Sequence, residues 1–429
     1  MFLNKYDAPA SPKAGALIIG GEHGSLGVAR SLGRRGIPVW FLTDDKIIAK
    51  FSRYTQRTLY WNGPEDAQAA EHLLALAAQH GLSGWVLYPA GDREVKLVAQ
   101  HHAALSDIFR LITPPWDVTR IAADKRLMYA RAATLGIGHP KSYSPKNRDE
   151  AARLDGTFPM ILKPSMKEGM NALTQAKAWA VADSAELVAK YDEAAALVGP
   201  ENIVLQEMIP GGGATQLSYT GVWKDGVPVA SMIARRTRQF PMEFGTGTFV
   251  ESVEQDEVEQ AACVFLTSLN YSGLVEIEFK YDARDGVHKI LDVNPRVWTW
   301  NALGELAGVD FAYIQWQLAM GERVAPSRGR AGTSWVYVSK DIAAVCQEML
   351  AGITSPAMYI RSFHFPLGFA AFASDDPLPA LVDFPLAIWR FLSRRVDPPK
   401  AVPDGGRSAG HENVHVAKPL VIAVDRDAR

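Results

Sequence analysis

Cysteine is nearly missing: Cys263 and Cys346 are the only two among 429 residues. Two thiols cannot build a disulfide framework or a four-ligand zinc site, and they predict a reducing, cytoplasmic setting. Net charge is nearly missing too, because 45 Lys and Arg face 47 Asp and Glu and leave −2. That balance excludes the basic surface that bulk nucleic-acid binding needs, although a local basic groove stays open. Long apolar runs are absent. Nothing approaches the ~18 consecutive apolar residues of a membrane span, so none is predicted. Residues 1–12 carry Asn4, Lys5, Asp7 and two prolines where a signal peptide would have its apolar stretch.

What is abundant is core-forming material. Apolar residues make up 48% of the chain and charged residues 21%, a balance that excludes a disordered chain. The length suits two or three domains. Ala16-Leu17-Ile18-Ile19 reads as a strand, followed at once by Gly20-Gly21-Glu22-His23-Gly24-Ser25-Leu26-Gly27 and a helix pattern that stops at Gly36. A second apolar run over 37–42, a helix over 65–80, a strand over 84–88 and a helix over 92–104 continue the alternation. Such alternation predicts a doubly wound parallel sheet with a ligand crevice at its strand C-termini.

Thr113-Pro114-Pro115-Trp116 ends that unit, since consecutive prolines continue neither element. Helices over 119–136, 183–197 and 254–269 then alternate with strands over 159–163, 202–208, 215–235, 272–282 and 287–293. This rhythm predicts an α+β unit. The fold class is therefore α/β and α+β, with domains expected at 1–115 and 116–325, a small segment at 326–397 and a mobile tail at 398–429. Only Leu420 to Val424 in that tail has apolar character.

The densest chemistry lies in the last strand pair. Glu276 and Glu278 share one strand face, as do Asp292 and Asn294, because alternate strand residues point the same way. A hairpin through Arg284-Asp285-Gly286 would bring Glu278 beside Asp292. Two carboxylates and an amide oxygen then call for a cation, and hard oxygen ligands suit Mg²⁺ with nucleotide phosphates. Arg296 follows, placed to grip phosphate bidentately. The competing reading is a solvated acidic strand face. Lys163 ends the run Phe158-Pro159-Met160-Ile161-Leu162, where packing alone explains a lysine poorly, and Lys125 opens a helix after Asp124. Ser165 to Asn171 has the small, polar character of a lid. Val204 to Pro210 runs into Gly211-Gly212-Gly213, a strand end whose free backbone groups can read an adenine edge, with an ordinary glycine turn between strands as the competing reading.

Taken in order, these pieces resemble the ATP-grasp superfamily, in its carboxylate–amine ligase-like branch. The resemblance covers residues 15 to about 325 and rests on six short motifs. They are Leu87-Tyr88-Pro89-Ala90-Gly91-Asp92, Asp124-Lys125, Ile161-Leu162-Lys163-Pro164, Gln206-Glu207-Met208-Ile209-Pro210-Gly211, Glu276-Ile277-Glu278-Phe279 and Leu291-Asp292-Val293-Asn294-Pro295-Arg296. It implies ATP as co-substrate and Mg²⁺ as metal, with Mn²⁺ as an alternative. Lys125 and Lys163 would hold phosphates, Gln206, Glu207 and Ile209 the adenine, and Gln216 the ribose. Glu278, Asp292 and Asn294 would hold the metal, and Arg296 would steady the transferred phosphoryl group. Two departures stand out: Asp292 where relatives carry Glu, and an uncharged Gln216. The implied reaction activates a carboxylate as an acyl phosphate and joins it to an amine, with the 165–175 lid keeping water out.

Arg236 and Arg238 are read as contacts for the carboxylate or its phosphorylated form, with a solvated strand end as the alternative. His23 and Asp92 are read as substrate contacts of the N-terminal domain. Gly20-Gly21-x-x-Gly24-x-x-Gly27 departs from the G-x-G-x-x-G order of a dinucleotide site. A non-catalytic or regulatory ATP-binding protein and an ATP-grasp carboxylase are the competing functions. The expected partners are a small carboxylate and an amine, an amino acid among the options, with a homodimer allowed. The aromatic stretch 355–395 is read as core packing, with docking on a membrane surface or a partner as its alternative.

Overall fold

Alternate residues of the first strand feed two different cores, which is what a strand buried on both faces requires. The computed structural model describes residues 14–396 apart from Lys46, Lys167, Glu168 and Met170, with side chains described to Trp389. Strand β1 (Ala16–Ile19) sends Ala16 and Ile18 to one side of a sheet and Leu17 and Ile19 to the other. It lies at the centre of a parallel five-stranded sheet with β2 (Val39–Thr43), β3 (Arg57–Tyr60), β4 (Val86–Pro89) and β5 (Arg110–Leu111). Their order is β3-β2-β1-β4-β5. The helix His23–Gly33 leaves β1 directly and packs on this sheet.

Two further sheets follow. One has β6 (Ser142–Tyr143), β7 (Met160–Pro164), β8 (Trp179–Val181) and β9 (Ile203–Glu207), in the order β6-β9-β7-β8. The other is built on β10 (Gln216–Lys224), β11 (Val227–Phe240), β12 (Thr246–Val253), β13 (Gly273–Asp282) and β14 (Val287–Asn294). Here β15 (Ser327–Arg328) pairs β11, while β16 (Ser334–Val336) and β17 (Leu367–Phe369) extend the edge beyond β12.

The large sheet has one apolar face and one divided face. Tyr219, Ile233, Val275, Ile277 and Phe279 form one core with the helices Lys125–Thr134 and Asp256–Thr267. On the other face, Val222, Ala230, Met232 and Ala234 join the core of the parallel sheet. Ser218, Arg236, Glu276 and Glu278 occupy the remainder of that face. This division decides where chemistry can occur.

Several expected elements have shifted bounds. The helix expected over 119–136 is two helices, Trp116–Ala123 and Lys125–Thr134. Asp124 is extended between them, and its carboxylate accepts the Arg126 backbone N–H at 2.9 Å. Capping thus overrides the continuous apolar pattern. The helix over 65–80 starts at Ala69, and β12 is a strand that the sequence reading did not contain. The expected tail lies outside the described residues.

Candidate active site

The divided face of the large sheet and the four-stranded sheet enclose a cleft with an open volume of about 320 Å³. Lys163 and Ile161 of β7, Gln206 of β9, Ile209, Gly211 and Gly212 line one wall. Gln216, Arg236, Glu278 and Lys280 line the other, closed by Met242 to Gly245.

The hairpin forms in the expected register: Glu278 lies opposite Asp292 and Glu276 opposite Asn294. Charge compensation comes from side chains of this chain. The Arg236 guanidinium is 3.0 Å from Glu276 and also bridges Glu278. Burial works against its charge, but the two carboxylates outweigh burial and hold its pKa above the ordinary arginine range. Burial and the Glu278 charge raise the Glu276 carboxyl, against the pull of Arg236. Asn294 Nδ2 lies 3.4 Å from Glu276 and 3.3 Å from Glu278. Lys125 Nζ donates to Asp292 Oδ1 at 3.0 Å.

Arg296 binds Asp92 at the start of the helix Asp92–Gln100 and donates to Asn294 Oδ1 at 3.1 Å. Asp92 and Lys96 line a second, smaller cavity with Trp116, Met166 and Asn294. Lys125 and Asp292 line both cavities. The N-terminal glycines explain how this loop reaches the parallel sheet. A Cβ on Gly24 would lie 2.7 Å from Trp298 O, and one on Gly27 would lie 2.5 Å from Asn301 Oδ1. Those two glycines therefore serve close packing against the loop that follows Arg296.

Lys163 is buried, and its Nζ donates to the Tyr129 hydroxyl at 3.0 Å. Tyr129 OH in turn lies 2.8 Å from Gln206 Oε1. Tyr129 was not singled out from sequence, although it stands four residues after Lys125 and so shares its helix face. Lys280 was also missed. It shares the Glu278 strand face by the period of two, and its Nζ donates to Ile209 O at 2.8 Å. Burial lowers the Lys280 pKa.

Three expected residues point elsewhere. The Glu207 carboxylate faces away from the cleft, accepting from Lys141 N at 3.0 Å and Arg284 at 2.9 Å, so the side chain does not serve the expected adenine contact. Arg238 does not line the cleft. It is buried in a bidentate pair with Asp341, at 3.0 and 2.9 Å, and its guanidinium packs over Phe249, Tyr359 and Phe363. A register shift in β11 between Arg236 and Arg238 accompanies this separation, which plain alternation does not foresee. His23 is equally committed: its Nε2 is 2.8 Å from Asp383 and its ring packs on Tyr337. In the expected lid, Ala172–Ala176 is a short helix with a capping box at Asn171, and Leu173 is buried. Lys167, Glu168 and Met170 lie outside the described residues.

Among the described residues, no three His, Cys, Asp or Glu side chains group as a metal cage. The oxygen set Glu278, Asp292 and Asn294 nevertheless suits Mg²⁺ coordinated jointly by phosphates, since that ion takes few protein ligands. Buried polar atoms without partners, Gln216 Oε1, Gln239 Oε1 and Arg236 Nε, belong to side chains that line the cleft. Buried polar groups normally find partners, so these fit a polar ligand.

The cleft is clamped at one end. Asp282, fully buried, accepts from Arg284 at 2.6 Å and Lys289 at 2.7 Å, while Glu207 of β9 bonds the same two cations. The Arg284 hydrogen bond holds the Asp282 carboxyl far below the usual range, against the opposing effect of burial. A depressed folded pKa stabilises above the unfolded value, about 3.9, and that stability is lost as pH falls through the folded value. Asp282→Asn is expected to cost about 2 kcal/mol at pH 7. Urea melts from pH 7 to 2 should show the gap to wild type narrowing only below about pH 4. A pH-independent gap would exclude the charge as its cause.

A family model described as "Carbamoyl-phosphate synthase L chain, ATP binding domain" matches residues 229–326, the span from β11 to the end of the β14 loop and its following helices. D-aspartate ligase of Enterococcus faecium is 20% identical over 317 residues, covering 69% of this chain and 74% of that protein. The biotin carboxylase domain of Hydrogenobacter thermophilus 2-oxoglutarate carboxylase, solved with MgADP and bicarbonate, superposes with a TM-score of 0.60. It is 17% identical, over 74% of this chain and 73% of its own. An L-amino acid ligase from Bacillus licheniformis gives 0.57 at 15% identity, over 72% of this chain and 75% of that one.

Proposed function

For a chain with the ATP-grasp fold, we propose an ATP- and Mg²⁺-dependent ligase that joins a carboxylate to an amine. The observation that carries this reading is the pair of cavities sharing Lys125 and Asp292. A phosphoryl group held at their common wall could be passed from a nucleotide in the large cleft to a carboxylate oxygen entering on the side of the small one, which has an open volume of about 30 Å³ and would have to widen to take a whole acceptor. The names of the D-aspartate ligase and L-amino acid ligase relatives support the reaction class and suggest an amino acid on one side.

Bound Mg-ATP supplies the phosphoryl group, which a substrate carboxylate oxygen takes with release of ADP. The amine nitrogen then attacks the acyl carbon, phosphate leaves, and the amine gives up one proton. The protein's part is positioning and neutralisation. Lys125 and Lys163 hold phosphate oxygens, and Tyr129 fixes Lys163 against Gln206. Glu278, Asp292 and Asn294 would hold the metal, with Mn²⁺ as a substitute. Holding it would require Lys125 and Arg236 to turn from these carboxylates toward the phosphates, and Asn294 Oδ1 to leave Arg296. Gln206 and the Ile209 backbone meet the adenine, and Gln216 offers its free Oε1 to the ribose. Arg296 lines neither cavity and is held by Asp92 and Asn294, so it would have to turn from them to steady the phosphorylated substrate. The unpaired Cys263 and Cys346 suit a cytoplasmic reaction.

ADP release should require a carboxylate and an amine together, in a panel run with Mg²⁺ and with bicarbonate as a separate acid. Release with bicarbonate alone would favour the carboxylase suggested by the Hydrogenobacter neighbour. Failure to bind Mg-ATP in calorimetry would overturn the reading.

A further inference from the structure

The last described helix has its polarity reversed. Leu378–Val396 packs through Pro379, Val382, Asp383 and Leu386, and turns Leu381, Phe384, Ile388 and Trp389 outward. Leu381 is 72% exposed, Phe384 54% and Trp389 60%. These positions fall on one stripe at helical spacing. A surface helix normally shows water its polar side.

The acids of this region face the other way. Asp376 is buried against Arg30 at 2.9 Å and the Ser52 hydroxyl at 2.7 Å. Asp375 binds Arg34 and Tyr54, at 2.8 and 2.7 Å. Asp383 binds His23 and the Ser339 hydroxyl, both at 2.8 Å. Each acid between Phe372 and Val396 is thus consumed by a bond to the fold. In sequence the helix continues into Arg390, Arg394 and Arg395. An apolar stripe with an interfacial Trp, acids withdrawn and arginines at its end complements an anionic lipid interface.

We propose that the outward face of the helix Leu378–Val396 docks in the plane of an anionic membrane surface. The bonds of Asp375, Asp376 and Asp383 to Arg34, Arg30 and His23 hold the helix in place beforehand, so docking need not order it. The proposal does not depend on the ligase reading. No described helix is long and apolar enough to cross a membrane.

The test is flotation of the full chain with phosphatidylcholine vesicles, with and without phosphatidylglycerol. Enrichment on the anionic vesicles, weakened by salt, is expected. A Leu381→Ser, Phe384→Ser, Trp389→Ser variant should lose about tenfold or more in partitioning, with its thermal midpoint and ATP turnover unchanged. An Arg394→Glu, Arg395→Glu variant should lose about tenfold on anionic vesicles alone, which keeps the test valid if the serine variant misfolds. No enrichment over a control protein would overturn the proposal. So would a dimer that the serine variant dissociates while vesicle binding stays at background, because the face would then belong to a second copy.

Discussion

Glu278→Gln is expected to lower the rate of ATP-dependent ligation by about 10³-fold or more while leaving the fold intact. The substitution keeps the shape and hydrogen-bonding capacity that Arg236 and Asn294 use, and removes only the negative charge. Arg236 retains Glu276, so no buried cation is stranded. On the proposed reading, what disappears is one of two carboxylates that would face the phosphates, and with it a proposed metal ligand. Single-turnover ADP formation, beside calorimetric Mg-ATP titration and thermal melts, separates these effects. A fall in rate with a midpoint within about 4 °C of wild type supports the assignment. Unchanged turnover would remove Glu278 from the catalytic set and leave Glu276 as the alternative carboxylate.

The second large effect concerns stability. Asp341→Ala should destabilise the chain by about 3–5 kcal/mol, because it leaves the Arg238 guanidinium buried among Phe249, Tyr359 and Phe363 without its counter-charge. Asp341 also accepts from the Thr248 hydroxyl at 2.8 Å, so a second buried group loses its partner. Replacing both partners, as Arg238→Met with Asp341→Leu, should recover most of the loss, since an apolar pair strands no charge. Denaturant melts of the two single variants and the double variant measure this coupling. A single-variant loss below about 1 kcal/mol would mean that Arg238 finds water, contrary to its burial. Ligation at a temperature where every variant is folded should change little, because Arg238 lies outside the cleft.

Much of the site could be read from spacing. Glu276, Glu278, Asp292 and Asn294 share faces because strands alternate, and Gly286 in the turn fixes which residues meet. Lys163 was conspicuous because a lysine ending a buried strand needs a partner, and it has Tyr129. Tyr129 itself looked like an ordinary aromatic helix residue. Its role depends on three elements meeting: the helix Lys125–Thr134, β7 and β9.

The sequence by itself determined the class of the fold, the hairpin register and the residue types gathered at the cleft. Those follow from periodicity and turn chemistry, which act over a few residues. Only the tertiary structure decided that Arg236 joins the carboxylates while Arg238 pairs with Asp341, 103 residues away. It also decided that Glu207 clamps the hairpin and that Asp375, Asp376 and Asp383 face inward. A charge on a strand or helix can point to water, to a ligand or to a distant partner. Local pattern does not distinguish these outcomes. Burial forces a choice, because a desolvated charge must find its opposite wherever the chain has brought it.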